Sequence, residues 1–185
     1  MAIGREYKLR GVDADTLEIR RLSAAGVREH LDGLGGVLED CVSGGASVSY
    51  MAPFSLDDAR EVFDAVAADV EQGRRVLLAA FSGADVVGTV QVILMAPPNQ
   101  PHRGEIAKLL VRRSARNRGI AQRLMEQAEV EARAEGKTLL VLDTASGAAE
   151  RLYERLDWQR VGVIPDYALY PNGGFCDTTV FWKKI

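Results

Sequence analysis

The chain predicts an α/β domain with one mixed, largely antiparallel sheet of about seven strands, flanked by about four helices. Three observations carry this. Apolar residues recur at helical spacing between 23 and 71 and again between 120 and 156. Short apolar, β-branched runs begin near 17, 76, 86, 105, 138, 158 and 177. From residue 105 onward, strand and helix patterns alternate, as in a sheet with helices packed on its faces. At 185 residues and 47% hydrophobic content, the sequence suits a single domain over 1–185 with a full core. No repeat, low-complexity segment or linker-like break divides it.

Residues 1–15 are polar and read as a loose extension. Leu17, Ile19 and Leu22 mark the first strand. Ser23 is placed to cap a helix with Val27, Leu31 and Leu34 on one face. Gly35-Gly36 is expected to bend or break that helix, and Val37, Leu38, Cys41 and Val42 continue its apolar stripe. A flexible stretch carrying Tyr50 and Phe54 leads to Ser55 and Asp58, which resemble a capping box with Asp in place of Glu. Val62, Phe63, Val66 and Val70 then line a second helix that Gly73 closes. Val76–Phe81 and Val86–Met95, joined by Ser82-Gly83-Ala84-Asp85, read as a hairpin. Pro97, Pro98 and Pro101 make the following segment a loop.

Glu105–Val111 is the next strand. Its following helix has Ile120, Leu124, Ala128 and Ala132 on one face, flanked by Ala121 and Met125, and ends at Gly136. Thr138–Thr144 is so apolar that a strand covered on both faces is expected. Ser146–Leu156 reads as a short helix with Ala149, Leu152, Tyr153 and Leu156 inward. Trp158–Val163 and Asp177–Lys184 are the last strands, joined by a segment holding Pro165, Pro171 and Gly173-Gly174.

The balance of charge is 23 basic against 26 acidic residues, net −3. A chain-wide attraction to nucleic acid or to an anionic membrane is therefore not expected, and any basic function is local. No apolar run approaches the roughly 20 residues that span a bilayer. The N-terminus lacks the apolar stretch of a signal peptide. Cys41 and Cys176 form no metal-type pair and read as buried thiols in a reducing cytosol. Neither His30 nor His102 has a second ligand at zinc spacing, so no metal is expected. These readings describe a cytoplasmic protein.

The local basic feature is the loop Arg112–Arg118, with arginines at 112, 113, 116 and 118, followed by Gly119 and the small Ala121. It turns straight into a helix. A helix N-terminus has unsatisfied N–H groups and a positive dipole end, and arginine adds bidentate donors, so the junction suits a phosphate. Glycine lets the backbone approach a bulky anion. The rival reading is a solvated basic loop. The Walker ending Gly-Lys-Ser/Thr and the G-x-G-x-x-G fingerprint are both absent.

Arg116-Asn117-Arg118-Gly119-Ile120-Ala121 resembles the Arg/Gln-x-x-Gly-x-Gly/Ala signature of the GCN5-related N-acetyltransferases (GNAT). Ala149 through Trp158 is similar to the family's Ala-x-x-Leu-Tyr-x-x-x-Gly-Phe block, with Asp157 for the usual Gly and Trp158 for the Phe. Gly45–Ala52 and the Glu105–Val111 strand look like the tabtoxin-resistance branch. The resemblance covers the chain from about Leu17 to its end. It implies acetyl-CoA as cosubstrate, with its pyrophosphate on Arg116, Asn117, Arg118, Gly119, Ile120 and Ala121. Its pantetheine arm would lie along Leu109, Leu110 and Val111, with Ala149 nearby.

The resemblance also implies roles for Glu105 and Tyr153, and the position of Asp143 adds a third candidate. Glu105 would be the base that frees an amine of its ammonium proton, since thioester aminolysis needs a neutral nitrogen. The rival is an exposed charge paired with Arg103 or Lys108. Asp143 stands alone at the end of an apolar strand, suited to base catalysis or amine recognition, or else to capping the next helix. Tyr153 would protonate the departing thiolate, against a plain core tyrosine. A backbone N–H near Val111 would hold the oxyanion.

Tyr50 and Met51 are candidates for the acceptor pocket, with a hydrophobic lid as the alternative. Tyr167, Tyr170 and Asp177 are within reach of the same region. The implied activity is direct acetyl transfer to a primary amine of a small molecule: a toxin, an antibiotic or an amino-acid-like compound. The alternatives are a protein lysine or N-terminal acetyltransferase and a non-catalytic coenzyme A-binding regulatory module. The resemblance also allows a homodimer.

Overall fold

The two central strands show how the pattern becomes a layered fold. In β2 (Arg75–Ser82), Val76, Leu78 and Ala80 enter one core while Leu77, Ala79 and Phe81 enter the other. β3 (Asp85–Ile93) is likewise buried on both faces. A strand alternates its side chains, so a continuous apolar run forces a helical layer on each side. The computed structural model describes residues 17–185, so the expected loose extension over 1–15 lies outside the described residues.

The remaining elements are β1 (Leu17–Leu22), α1 (Ala24–Glu29), α2 (Leu31–Ser43), α3 (Leu56–Glu71), β4 (Arg103–Val111), α4 (Ile120–Ala134), β5 (Leu139–Thr144), α5 (Gly147–Arg155), β6 (Gln159–Leu169) and β7 (Phe175–Lys184). Arg113–Ala115 forms a single 3-10 turn. The seven strands lie in the order β1-β2-β3-β4-β5-β7-β6. Every neighbouring pair is antiparallel except β4 and β5, which are parallel. α1, α2 and α3 cover one face through Val27, Leu34, Leu38, Phe63 and Val66. α4 and α5 cover the other through Ile120, Leu124, Met125, Ala128, Ala132 and Leu152. Each fully buried Leu or Phe in these layers contributes about 1.5–3 kcal/mol.

Three expectations are corrected. The first-helix break falls at His30, not at Gly35-Gly36, and α2 runs straight through the glycine pair. At Gly36 the helix needs room rather than a bend: a Cβ there would stand 2.6 Å from the Arg112 guanidinium. β5 is not covered on both faces, since Leu140 and Leu142 are buried on one face while on the other Val141 is half-buried and Asp143 is exposed. β6 continues past Val163 and Pro165 to Leu169, with its register to β7 slipping between Ile164 and Ala168. Proline is tolerated there because β6 is the outer strand and the ladder is already interrupted.

The caps of α1 and α3 are those the sequence suggests, and Ser146 supplies a third that it did not name. Ser23, Ser55 and Ser146 each accept a backbone N–H at the start of α1, α3 and α5, and Ser55 with Asp58 forms a complete capping box. Asp157 keeps the turn after α5 by adopting φ 62, a conformation in which Asp is among the better-tolerated residues. Trp158 is buried, with its indole N–H on Glu129 at 3.0 Å. Lys183 closes on the same carboxylate at 2.8 Å.

Candidate active site

The site begins with an irregularity in β4. Opposite β3, Gln91 pairs with Ala107 but Thr89 pairs with Leu110, so β4 carries one extra residue. Lys108 sits in this bulge at φ 52. A bulge inverts the alternation of side chains beyond it. Ile106 therefore packs with α4 and α5, while Leu110, four residues on, packs with α1–α3. Leu109 and Val111 are left half-buried against the α4 side.

The same strand then parts from its parallel neighbour. Pairing of β4 with β5 ends at Glu105 opposite Val141, although β4 runs on to Val111 and β5 to Thr144. A wedge opens between their C-terminal ends, where ligands sit in sheets with parallel strands. Along it, one edge of the β4 backbone is not hydrogen-bonded to β5, and backbone donors and acceptors seek partners.

At the mouth of the wedge stands the basic loop. Asn117 at φ 62 and Gly119 at φ 74 turn the chain into α4. A Cβ on Gly119 would meet nothing within 4 Å, so its dihedral, not crowding, requires glycine, and the space above it is open. α4 begins without a side-chain cap, unlike the serine-capped α1, α3 and α5, and has no acidic residue in its first turn. Its first bond runs from Arg123 N–H to the Gly119 carbonyl, so the N–H groups of Ile120, Ala121 and Gln122 precede the bonded turns.

Three arginines of the loop serve its shape. Arg112 donates to the carbonyls of Val86 (2.9 Å) and Gly33 (3.3 Å). Arg113 meets Asp40 through both its backbone N–H (2.7 Å) and its guanidinium (2.9 Å). Arg116 donates to the Val111 carbonyl at 3.2 Å and approaches the Cys41 sulfur at 3.8 Å. Arg118 is exposed.

Tyr153 is part of the core on the α4–α5 side, and Asp143 lies near the C-terminal end of β5. The Tyr153 ring is buried against Trp158 and Phe181, with centroids 6.0 and 5.6 Å away. Burial first, and then the negative charge of Asp143, push its hydroxyl pKa well above the ordinary tyrosine value. It therefore holds its proton throughout the physiological range. Asp143 accepts the Thr178 hydroxyl at 2.7 Å. It does not cap α5, because Ser146 does. Glu105 is half-buried and makes no ion pair with any described residue, Arg103 and Lys108 included.

Over the α1–α3 face lies the loop from Gly44 to Phe54. Its Ser47 hydroxyl donates to the Leu169 carbonyl at 2.8 Å, and Ala52 N–H reaches the Pro171 carbonyl at 2.9 Å, tying it to the β6–β7 arm. Tyr50 stacks on Phe54 at 4.8 Å, and burial raises its hydroxyl pKa. Met51 remains 46% exposed. Tyr167 and Tyr170 are exposed on the arm, and Asp177 is engaged with the Asp166 N–H at 3.0 Å.

Lys108, which the sequence offered only as a partner for Glu105, turns instead toward this loop. Its Nζ donates to the Ser49 hydroxyl at 2.8 Å and stands 5.6 Å from the centre of the Tyr50 ring. Burial lowers its pKa, as does Arg75, while Asp143 and Glu105 pull it upward. The available signal was one cation inside the apolar run Ala-Lys-Leu-Leu-Val.

This arrangement has known counterparts. The acetyltransferase (GNAT) family matches residues 46–158, more than half of the chain, and the match contains β4, the loop, α4, β5 and α5. The chain belongs to the GNAT acetyltransferase family. An N-acetyltransferase from Staphylococcus aureus Mu50 superposes with a TM-score of 0.76 at 19% identity, over 91% of this chain and 98% of that one. A ribosomal-protein-alanine N-acetyltransferase from Brucella melitensis gives 0.74 at 21%, over 91% and 99%. A phosphinothricin acetyltransferase from Sinorhizobium meliloti, solved with acetyl-CoA, gives 0.74 at 17%, over 92% and 89%. At such identities the likeness is one of fold. Two of these GNAT relatives are named for very different acceptors, so the acceptor of this enzyme must be argued from its own residues.

Proposed function

We propose that this GNAT enzyme transfers the acetyl group of acetyl-CoA directly to a primary amine of a small molecule, in a ternary complex. The observation that carries the reading is the free edge of β4 ending at the uncapped start of α4, beneath open space. In this reading the N–H groups of Gly119, Ile120 and Ala121 receive the pyrophosphate, with Asn117 shaping the turn and Arg116 and Arg118 adding positive charge. Leu109 and Val111 offer side chains and Leu110 its backbone to the pantetheine arm, and Ala149 leaves room at the start of α5. Bound acetyl-CoA supplies the activated acyl group. The chain itself orients and moves protons.

Glu105, with Asp143 beside it, takes the ammonium proton from the acceptor. A main-chain N–H on the free edge of β4 near Val111 faces charge developing on the acyl oxygen. Tyr153, kept protonated by its surroundings, gives its proton to the leaving sulfur. Tyr50 and Met51 border the acceptor. No metal has a role in this scheme, and among the described residues no group of three or more His, Cys, Asp or Glu gathers as one.

A small acceptor is favoured over a protein amine because the loop from Gly44 to Phe54 closes over the acceptor face and is tied to the β6–β7 arm. The 1–185 single-domain reading and a cytoplasmic setting belong to the same proposal. Both cysteines are free, and no helix among the described residues is long and apolar enough to cross a membrane. Self-association as a homodimer would use the exposed apolar side of β6, where Val161, Val163 and Tyr167 are 66%, 46% and 55% exposed.

The test is release of free thiol from acetyl-CoA with a panel of small amines and an N-terminal peptide. Small amines should turn over and the peptide should not. Binding of acetyl-CoA without turnover of any amine would identify a non-catalytic module instead. Replacing Glu105 by Gln should reduce kcat and remove the rise of rate with pH; an unchanged profile would exclude Glu105 as the base.

A further inference from the structure

Two non-glycine residues with left-handed backbone meet above the acceptor face. Lys108 has φ 52 on the β4 bulge, and Ser49 has φ 80 in the loop over it. Their side chains join in the 2.8 Å bond from Nζ to Oγ. Each such residue costs on the order of 1–3 kcal/mol, and strain of this kind collects where geometry serves function. Residues from distant parts of the chain have both accepted it to bring one ammonium group to one place.

That ammonium group is poorly matched. Its partners are a hydroxyl and the face of the Tyr50 ring, and among the described residues it has no carboxylate within ion-pair distance. Arg75, the cation whose charge acts on Lys108, is already held by Asp69 at 2.9 Å and by Gln91. Glu105 and Asp143 act on Lys108 only through longer-range attraction. Among the described residues, Glu105, Asp143 and a half-buried Lys108 thus stand together here, and the direct partners of the lysine are neutral. A partly buried cation without a counter-ion is an arrangement that an anionic ligand can improve.

We propose that Lys108 reads the acceptor by pairing with an anionic group on it, a carboxylate in the simplest case, while Glu105 and Asp143 receive its amine. The acceptor is then a zwitterion of amino-acid type rather than a plain amine or polyamine. The inference rests on the small-amine reading above and narrows it. Ser49 holds the ammonium in position, and Tyr50 shields it from water, strengthening its attraction to an anion.

The experiment compares matched pairs at saturating acetyl-CoA: lysine with cadaverine, ornithine with putrescine, and each amino acid with its carboxamide. One charge-assisted hydrogen bond should favour the carboxylate member by about ten- to a hundredfold in kcat/KM, mostly through KM. In Lys108→Met and Lys108→Gln that ratio should collapse toward one, and Lys108→Arg should restore much of it. Acetyl-CoA binding by calorimetry reports whether each variant is folded. Equal use of both members by the wild-type enzyme would overturn the role of Lys108, and so would a ratio that survives in Lys108→Met. Turnover of neither member of any pair would instead overturn the small-amine reading on which it rests.

Discussion

Removal of one oxygen atom, in Tyr153→Phe, tests the chemistry with little disturbance to the fold. The Tyr153 ring is buried and packs against Trp158 and Phe181, contacts that phenylalanine keeps. The hydroxyl has no hydrogen-bond partner among the described residues, so its loss should change stability by less than about 1 kcal/mol. A positioned acid contributes roughly 10²–10⁴-fold, and a thiolate leaves easily, so kcat should fall by about a hundredfold. The affinity for acetyl-CoA, measured by calorimetry, should move by less than about twofold, because the lost group acts on the leaving atom and not on the bound cofactor.

The pH profile adds a second reading. Burial and Asp143 raise the Tyr153 pKa, so the acid form persists below that raised value. The wild-type rate should therefore show no loss of the acid near the ordinary tyrosine value of about 10. The same shift means that the folded state holds this proton more tightly than the unfolded chain. Stability is accordingly undiminished by Tyr153 below about pH 10 and declines as pH rises above it. Unchanged kcat in the variant would refute the acid role. A wild-type alkaline fall near pH 10 that disappears in the variant would refute the raised pKa.

Three further outcomes are expected. Gly119→Ala meets open space, so its cost is conformational, about 1 kcal/mol in thermal stability, with weaker acetyl-CoA binding; an unchanged affinity would argue against this loop as the pyrophosphate site. Glu129→Ala leaves the Trp158 N–H and the Lys183 ammonium without their shared carboxylate and should destabilise by about 3 kcal/mol in urea unfolding, whereas a loss below about 1 kcal/mol would show that water replaces it. Asp157→Gly relieves a left-handed residue and should stabilise by roughly 0.5–1 kcal/mol, a gain that calorimetric melting would detect.

Where local chemistry decides, the sequence was readable. Ser55 and Asp58 cap a helix by their own hydrogen bonds, the hairpin turns at Gly83, and Gly119 takes the positive φ that its junction demands. Where a distant partner decides, it was not. Gly36 lies within a helix because Arg112, far along the chain, crosses close to it. Pro165 lies within a strand because β6 is outermost, which depends on the order of all seven strands. Asp143 is exposed because β4 turns away from β5, and that parting is not written in either strand alone. The turn of Lys108 toward the loop was hidden for the same reason. A bulge is a mismatch between two strands, and only its partner β3 reveals the extra residue.

The last turn of α2 has one more consequence. Asp40 and Cys41 anchor Arg113 and Arg116 of the basic loop, while the carbonyls of Asp40, Cys41 and Val42 take the N–H groups of Gly44, Ala46 and Gly45, where the loop to Phe54 begins. One helical turn thus anchors both loops. In the proposed scheme acetyl-CoA meets the first loop and the acceptor meets the second. The thermodynamics of such shared anchorage are symmetrical: whatever acetyl-CoA does to the acceptor's affinity, the acceptor must do equally to that of acetyl-CoA.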